Sequence, residues 1–427
     1  MNKSQARLDL VKSGLKKRHF KEKTFKSLGI AAILAALAML AILFVTIIGS
    51  GYSAFQQTFV RLEVFFDREL LDPDSTGDPE VLSQADYGGL VKKTLRNIFP
   101  EVKKRRQKRD LYKMVSSGAA FQLREMVMNN PGTIGTRQTV WVPADDDIDM
   151  LMKGHISADK EGSGRIKKYK LDWINHLKEK DALQKRFNFA LFTNGDSREP
   201  ELAGIWGAAV GSFYTMLVTL LLSFPLGVAT AVYLEEFAPK NIWTDIIEVN
   251  INNLAAVPSI VFGLLGLAVF LNFFSLPRSA PVVGGLVLTL MTLPTIIIAS
   301  RASLQSVAPS IREGALGVGA SKMQSVMHHV LPLALPGMLT GTIIGMARAL
   351  GETAPLLMIG MVAFIVDVPT GIFDKATVLP VQIYLWADSP ERAFMERTSA
   401  AIIILLAFLL IMNAVAVVLR KKFERRW

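Results

Sequence analysis

Long apolar runs separated by polar segments are the dominant pattern of this 427-residue chain. A helical run of about 20 apolar residues is long enough to cross the hydrocarbon core of a bilayer. The pattern therefore predicts six transmembrane helices. Their approximate bounds are residues 28–48, 205–233, 254–274, 282–300, 333–366 and 400–419. The fifth run is too long for one straight crossing, so we expect its last part to bend or to re-enter the membrane.

The polar segment 53–200, between the first and second runs, is expected to form a domain of its own. Residues 58–66 alternate between apolar and polar side chains as a β-strand does, and residues 139–142 are β-prone before a turn at Pro143. Residues 86–99 and 110–129 have helical patterns. The segment is therefore predicted to be a small α+β domain. The chain would then consist of a basic N-terminus (1–27), a first transmembrane helix (28–52), the domain 53–200 and a transmembrane domain (201–427).

The formal net charge of +11 is concentrated at the two ends of the chain. The segment before the first run carries a net charge of +7, and the segment after the last run carries +4. Positive charge beside transmembrane helices marks the cytoplasmic side, so we expect both termini in the cytoplasm and segment 53–200 outside the cytoplasmic membrane. The basic C-terminal tail ends in Trp427, which is expected to anchor it at the interface. The charge thus indicates topology rather than nucleic-acid binding.

Two charged segments complicate this topology. The loop 234–253, expected inside, contains several acidic residues and does not support that placement, although acidic residues weigh little in the rule. These are Glu235, Glu236, Asp245 and Glu248. The basic run 103–109 in the outer domain could bind an anion or nucleic acid. Acidic residues elsewhere in the domain balance it, so a solvated helix face is the favoured interpretation.

Several kinds of chemistry are excluded or disfavoured by the sequence. The chain has no cysteine, which rules out disulfides and thiolate metal sites. The glycine-rich segment 314–322 lacks the adjacent Gly-Lys-Ser/Thr of a P-loop. His328 and His329 are adjacent and point to different faces of a helix, so surface positions are favoured over a metal site. Because no acid/base or nucleophile constellation is present, the chain is not expected to be an enzyme.

A charged pair lies inside the fifth apolar run. Arg348 and Glu352 are four residues apart, so they lie on one helical face and can neutralise each other. An unpaired charge at this depth costs about 2.5 to 3.5 kcal/mol on insertion scales, and charges at such positions often line a path. An arginine is a suitable partner for a tetrahedral oxyanion, so Arg348, Glu352 and Thr353 form a candidate anion path. The alternative is a structural pair that joins helices.

A motif occupies the polar segment between the fourth and fifth runs. The pattern is E-A-A, three residues, G, nine residues, I, any residue, L-P, with Gly314 in place of the first Ala and His329 in place of Ile. The matching residues, after Arg312, are Glu313, Ala315, Gly319, Leu331 and Pro332. The segment resembles the cytoplasmic coupling loop of ABC-transporter permeases. The resemblance implies an all-α polytopic protein with the type I ABC importer permease fold, coupled to a separate ATPase through residues 301–332.

A coupling loop needs a rigid element that protrudes from the bilayer, and a short polar helix over residues 310–331 would supply it. Gly319 is expected to let a second helix or a partner surface approach closely. Pro332 is expected to end this helix before the next apolar run begins. An ordinary surface helix between two membrane spans is the alternative.

A second resemblance is carried by the Gly-Glu-Thr-Ala-Pro-Leu-Leu sequence at residues 351–357, which is similar to that of PstA-type phosphate permeases. With the coupling loop and residues 253–263, the resemblance covers the chain from about residue 207 onwards. It implies import of inorganic phosphate with three kinds of partner: a second permease subunit of the PstC kind, two ATPase subunits of the PstB kind, and a periplasmic phosphate-binding protein of the PstS kind. ATP and Mg would be bound by the ATPase, and no cofactor by this chain.

Segment 53–200 departs from the shorter members of that family and resembles its extended variants. Two rival functions remain at this point. The chain could be an ABC permease for another oxyanion such as molybdate or sulfate, or a membrane-anchored receptor that acts through residues 53–200.

Overall fold

A computed structural model describes residues 3–74, 76–156 and 166–423 of the chain. Trp427, the expected interface anchor, lies outside these residues. The chain divides into two compact units, Met1–Ser50 and Gly51–Trp427, and each is described by itself.

The first unit is one long helix. Helix α1 (Lys3–Gly51) has 49 residues and runs without a break from the basic segment into the first apolar run. No proline interrupts it, so nothing in its sequence marks the expected boundary near residue 27 as a structural one. At about 1.5 Å per residue the helix is far longer than a bilayer is thick, so its basic half extends beyond the hydrocarbon.

The second unit begins with the polar domain, which contains a three-stranded antiparallel sheet with the order β2-β1-β3. The strands are β1 (Gln56–Phe65), β2 (Arg137–Pro143) and β3 (Leu183–Phe187). Val60, Leu62 and Val64 point alternately from β1 into the core, which confirms the period-two pattern in the sequence. Strand β3 was not predicted, because Leu183 is its one buried residue and the other four are exposed.

Eight helices surround this sheet among the described residues. They are α2 (Arg68–Leu71), α3 (Pro79–Gln84), α4 (Tyr87–Ile98), α5 (Arg105–Tyr112), α6 (Gly118–Asn129), α7 (Asp146–Lys153), α8 (Lys168–Glu179) and α9 (Ala190–Thr193). The predicted helix 110–129 is interrupted between α5 and α6. There Val115 forms a β-bridge with Ala144, and the Ser116 amide donates to the Pro143 carbonyl at 2.9 Å. This pairing removes the intervening residues from a continuous helix.

Ten further helices form the transmembrane part and its loops. They are α10 (Trp206–Val232), α11 (Ile242–Ala255), α12 (Ser259–Gly266), α13 (Pro281–Gln305), α14 (Pro309–Gly317), α15 (Lys322–Ser325), α16 (Leu331–Gly351), α17 (Ala354–Met358), α18 (Leu379–Ala387) and α19 (Ala393–Phe423). In the described part of the whole chain, five helices are long and apolar enough to span a membrane, or six if one bent pair counts as a span.

The bent pair changes the third predicted helix. The chain turns by 101° between α11 and the segment Ser259–Phe273, so the run 254–274 is not one straight helix. Pro258 accounts for the break, because a proline disfavours helical geometry in the residue before it and lacks an amide hydrogen. Part of the loop predicted at 234–253 is therefore helical.

The fifth predicted helix bends as expected. Helix α16 ends at Gly351, and the short helix α17 follows after Glu352 and Thr353. Residues 359–366 are not helical.

Helices α13 and α16 pack at very short distance along small residues. A Cβ atom added to Gly341 would lie 2.2 Å from the Cβ of Ala299, and one added to Gly337 would lie 2.4 Å from the Oγ of Ser303. Glycine is the residue that permits this separation, as in many helix pairs within membranes.

Candidate functional site

The predicted coupling loop consists of two short helices rather than one. Helix α14 ends at Gly317, and α15 begins after Ser321, whose side chain forms a capping box with Gln324. Gly319 lies between them with φ +89°, a left-handed conformation that side chains rarely adopt. No described atom beyond its chain neighbours comes within 4 Å of a Cβ built at Gly319. Within this chain Gly319 is therefore required for a turn, and the expected close approach by a second helix is not found.

The expectation that Pro332 ends a helix is wrong. Residues Val326–Val330 form a π-helical turn that continues directly into α16, so Leu331 and Pro332 lie in the first turn of that helix. Proline has no amide hydrogen to donate to the preceding turn, and a wider π turn is a common way to accommodate such a residue. The segment Lys322–Gly351 is continuous and forms one candidate span.

Arg312 fixes the coupling loop to the rest of the transmembrane unit. Its Nε and Nη2 atoms donate to Oε1 of Glu236 at 3.0 and 2.7 Å. Its Nη1 and Nη2 atoms also donate to the carbonyls of Val307 and Leu304, at 2.7 and 2.8 Å. The guanidinium thus joins α14 to the C-terminal end of α13 and to the segment that follows α10. A cation at these carbonyls also complements the helix dipole of α13.

Arg301 makes a similar connection near the same end of α13. Its Nη2 donates to Oε1 of Glu248 in α11 at 2.8 Å, and its Nε lies 3.5 Å from Oε2 of Glu235. Gln305 also donates to Glu235 at 2.9 Å. The acidic loop that did not support the predicted topology therefore lies beside basic residues near the coupling loop. Three of its four acidic side chains, those of Glu235, Glu236 and Glu248, are thus locally paired.

The remaining motif residues differ in exposure. Glu313 is exposed and Ala315 is buried. Around them lie the exposed apolar side chains of Leu316, Met323 and Val318, of which Val318 is 87% exposed. The loop thus has one side fixed by Arg312 and an exposed side with apolar residues.

The charged pair lies at the opposite end of α16. Arg348 Nε is 3.6 Å from Glu352 Oε1, and the Arg348 side chain is 56% exposed. Glu352 is the C-cap of α16 and Thr353 the N-cap of α17, so the helix is interrupted directly beside the pair, between Gly351 and Pro355. The 20 steps from Leu331 to Gly351 separate the coupling loop from the pair by about 30 Å.

A buried ionic cluster connects the polar domain to the N-terminal end of α19. Lys153 Nζ lies 2.6 Å from both Asp149 Oδ2 and Glu396 Oε1, and the Lys153 and Glu396 side chains are 3% and 4% exposed. Ser53 Oγ donates to Glu396 at 2.6 Å, and His155 Nε2 lies 3.4 Å from the same carboxylate. This cluster was not predicted from the sequence. The spacing of Asp149 and Lys153 by four residues was the one local signal.

A cavity of about 330 Å³ lies where the polar domain meets the segment before α10. Asp145 and Glu201 line it. Burial raises the pKa of each carboxyl to about 7, and nearby acidic groups, chiefly Asp146 for Asp145 and Glu199 for Glu201, add to that rise. Gln57 also donates to the Glu201 carbonyl at 2.7 Å, so this segment is bound to β1.

Comparison with known proteins identifies the class of protein to which this chain belongs. Residues 223–427 match the family described as "Binding-protein-dependent transport system inner membrane component". Residues 12–161 match a "Domain of unknown function (DUF3333)". The chain is thus a multi-pass inner-membrane protein of the transport permease class.

Individual relatives narrow the class. The "Phosphate transport system permease protein PstA 1" of Mycobacterium tuberculosis is 30% identical over 224 residues, which are 52% of this chain and 72% of the relative. The chain belongs to the PstA-type permease family. The "Probable ABC transporter permease protein YqgI" of Bacillus subtilis is 34% identical over 173 residues, which are 40% of this chain and 58% of the relative. For "YqgH" of the same organism the corresponding shares are 43% and 60%.

Solved structures show a more distant similarity. The inward-facing MetNI methionine ABC transporter is 17% identical, with a TM-score of 0.38, over 52% of this chain and 95% of that chain. A bacterial ABC transporter for alginate import is 16% identical, with a TM-score of 0.39, over 51% and 79% of the two chains. The family assignment rests on the sequence matches.

Proposed function

We propose that this chain is the membrane-spanning permease subunit of an ATP-driven importer of inorganic phosphate, driven by a separate ATPase that docks on the loop of α14 and α15. The observation that carries the proposal is the set of hydrogen bonds from Arg312 to Glu236, Val307 and Leu304, which we call the Arg312 clamp. It holds the loop to α13 and to Glu236, while Leu316, Val318 and Met323 remain exposed. A rigid element with an apolar outer side is what a docking contact requires, because little conformational entropy is lost on binding.

The candidate anion path lies at the other end of α16. A half-exposed arginine in an apolar span is costly against lipid, so Arg348 is expected to face a second subunit or water. Its guanidinium would bind an oxyanion in place of Glu352, while Thr353 offers a hydroxyl beside it. Glu352 would hold Arg348 when no anion is present, which keeps the site weak enough for release.

The partners proposed are a second permease subunit of the PstC kind, two ATPase subunits of the PstB kind that bind ATP and Mg, and a phosphate-binding protein of the PstS kind. The names of the mycobacterial relatives support phosphate as the substrate. Both termini and the coupling loop would lie in the cytoplasm, and the polar domain outside.

Co-expression with these subunits tests the assembly. We expect the subunits to co-purify with the chain. We also expect proteoliposomes that contain the complex to transport radiolabelled phosphate when ATP is supplied on the side of the membrane that carries the ATPase subunits. Sulfate and molybdate serve as competitors, and efficient competition by either would point to another oxyanion. Failure of any ATPase to co-purify would contradict the permease role itself.

Substitution at Arg312 tests the coupling. Arg312→Ala removes the bonds to Glu236 and to two helix-end carbonyls, so we expect uptake per ATP hydrolysed to fall by about tenfold, because about 1.4 kcal/mol of coupling is lost. Arg278→Ala, in the exposed loop before α13, is the matched control. Uptake per ATP that is equal in the two variants would contradict the proposed role of the clamp.

The anion path is tested separately from the coupling. Arg348→Gln should abolish uptake while the subunits still assemble. The charge exchange Arg348→Glu with Glu352→Arg distinguishes the two roles, because a structural bridge would survive it and an anion site would not. Normal uptake in the exchanged variant, with both single variants inactive, would assign the pair to helix packing.

A further inference from the structure

An exposed aromatic cluster marks one edge of the polar domain. Phe187, Phe189 and Phe192 are 49%, 69% and 37% exposed. The Phe187 and Phe192 rings stack with their centroids 5.7 Å apart, Phe189 contacts Phe187 edge-on at 5.0 Å, and Phe55 stacks on Phe192 at 5.8 Å. Large aromatic rings gathered on a surface indicate a contact, whereas single exposed apolar residues do not. We call Phe187, Phe189 and Phe192 the aromatic platform.

The platform is fixed to the residues at which the chain enters the transmembrane part. The Ile205 amide donates to the Leu191 carbonyl at 2.8 Å, and the Trp206 amide donates to the Asn194 carbonyl at 3.2 Å. These two residues begin α10, a candidate membrane span. Helix α9, which carries Phe192, is therefore hydrogen-bonded directly to the start of a candidate span.

The other end of the same segment is tied to residues just after the first apolar helix. The Asn188 amide donates to the Phe55 carbonyl at 2.9 Å, and its Nδ2 donates to the Ala54 carbonyl at 3.0 Å. Asn188 is buried between Phe187 and Phe189 in sequence, so its bonds hold the backbone that carries both rings. Two exposed aromatic residues, Tyr52 just after α1 and Trp206 at the start of α10, lie where the polar domain joins apolar helices. Aromatic side chains at such positions are typical of the membrane–water boundary.

Charge at the same edge fits a phospholipid surface. Lys185, two residues before Phe187 on the edge strand β3, is exposed and lies on the same strand face as Phe187, whereas the Arg186 guanidinium stacks 4.0 Å from the centroid of the Trp141 ring. Basic side chains beside aromatic rings bind anionic headgroups while the rings reach the upper acyl region. We propose that the aromatic platform is embedded at the headgroup–acyl boundary of the bilayer and seats the polar domain on the membrane. The occupant of this surface is lipid, and a covering protein subunit is an outcome of the test.

The absence of cysteine from the sequence makes a direct depth measurement practicable. The full chain would carry a single spin label at Phe189→Cys or Phe192→Cys in liposomes that contain an anionic phospholipid. Collision rates with lipid-soluble oxygen and with a water-soluble nickel chelate then report the depth of the label. Phe65→Cys is the matched control, because Phe65 is also an exposed phenylalanine. It ends β1, nine residues and about 30 Å from Gln56, which pairs with Phe187 at the start of that strand.

We expect labels at positions 189 and 192 to collide more often with oxygen than with nickel, and the label at position 65 to show the opposite order, with ratios that differ by at least fivefold. The same measurement is repeated on the assembled complex of co-purified subunits. Equal ratios at positions 189 and 65 would overturn the proposal. So would low collision rates with both reagents at position 189, because they would show that protein covers the platform. Both results leave the proposed transport function unaffected.

Discussion

Lys153 is the position at which the structure makes its strongest quantitative prediction. Its ammonium group lies 2.6 Å from Asp149 and 2.6 Å from Glu396, and all three side chains are at least 92% buried. The substitution Lys153→Met keeps a side chain of similar length but removes the charge. The two buried carboxylates would then lose the ammonium group that they share. The Thr58 amide and the Ser53 hydroxyl would still donate to them, and His155 and the buried Arg397 guanidinium would remain as nearby basic groups.

The expected magnitude follows from the burial. Removing one partner of a buried ion pair costs about 3 to 5 kcal/mol, because the remaining charge stays desolvated. Lys93 offers a matched comparison, since its Nζ lies 2.6 Å from Asp67 but its side chain is 49% exposed. An exposed pair contributes about 0 to 1 kcal/mol. The two substitutions thus remove contacts of equal length and should differ by about 3 kcal/mol in their effect.

Hydrogen–deuterium exchange of the full chain in detergent micelles measures this difference locally. The amide of Thr58, which donates to Asp149 at 2.7 Å, and the amides of α7 report opening of the cluster. We expect their exchange to accelerate by about 100-fold or more in Lys153→Met, which corresponds to about 3 kcal/mol. In Lys93→Met the same amides should change by less than about fivefold. Equal exchange in the two variants would refute the argument that burial sets the strength of these ion pairs.

Three further predictions follow from single residues. Gly319→Ala should destabilise the loop of α14 and α15 by about 1 kcal/mol, because the φ of Gly319 is +89°. Gly317→Ala, within α14 and in open space, should stabilise the same loop. Amide exchange in α14 and α15 should therefore accelerate in the first variant and slow in the second. Glu201, with its pKa raised to about 7, binds a proton in the folded chain at pH values at which the unfolded chain has lost it, so stability should fall as pH rises from about 4.5 to 7. In Glu201→Gln this decrease in the free energy of unfolding, on the order of 3 kcal/mol in the parent chain, should be absent. Thermal unfolding at pH 5 and pH 8 measures it. Gly341→Ala should lower the melting temperature more than Gly351→Ala, because the first Cβ would meet α13 at 2.2 Å and the second meets no described atom within 4 Å.

Features set by local pattern were predictable from the sequence. The apolar runs predicted the spans, and the alternation in residues 58–66 predicted β1, because each pattern is repeated over many positions. The third span was predicted only in part, since hydropathy does not record the direction of a helix on either side of Pro258. The strand β3 escaped detection because an edge strand with one buried residue has no clear period.

Features set by contacts between distant segments were not predictable. Lys153 and Glu396 are 243 residues apart, and Arg312 and Glu236 are 76 apart, so neither pair has a local signal. Gly319 illustrates a different limit. The sequence indicated that glycine is needed there, but only the backbone angle distinguishes a left-handed turn from a close approach. The roles of the motif residues in docking and of Arg348 in the anion path stay predictions.

The seam between α13 and α16 has a mechanical consequence. Gly337 and Gly341 are one turn apart on α16, and they face Ser303 and Ala299, which are one turn apart on α13. Bulky side chains that interlock oppose axial sliding of two helices, whereas a smooth track of small residues opposes it little and still keeps the backbones close. Such a track suits a shear movement of α16 along α13. A force applied near Pro332 would then move the far end of α16, at Arg348, without separating the two helices.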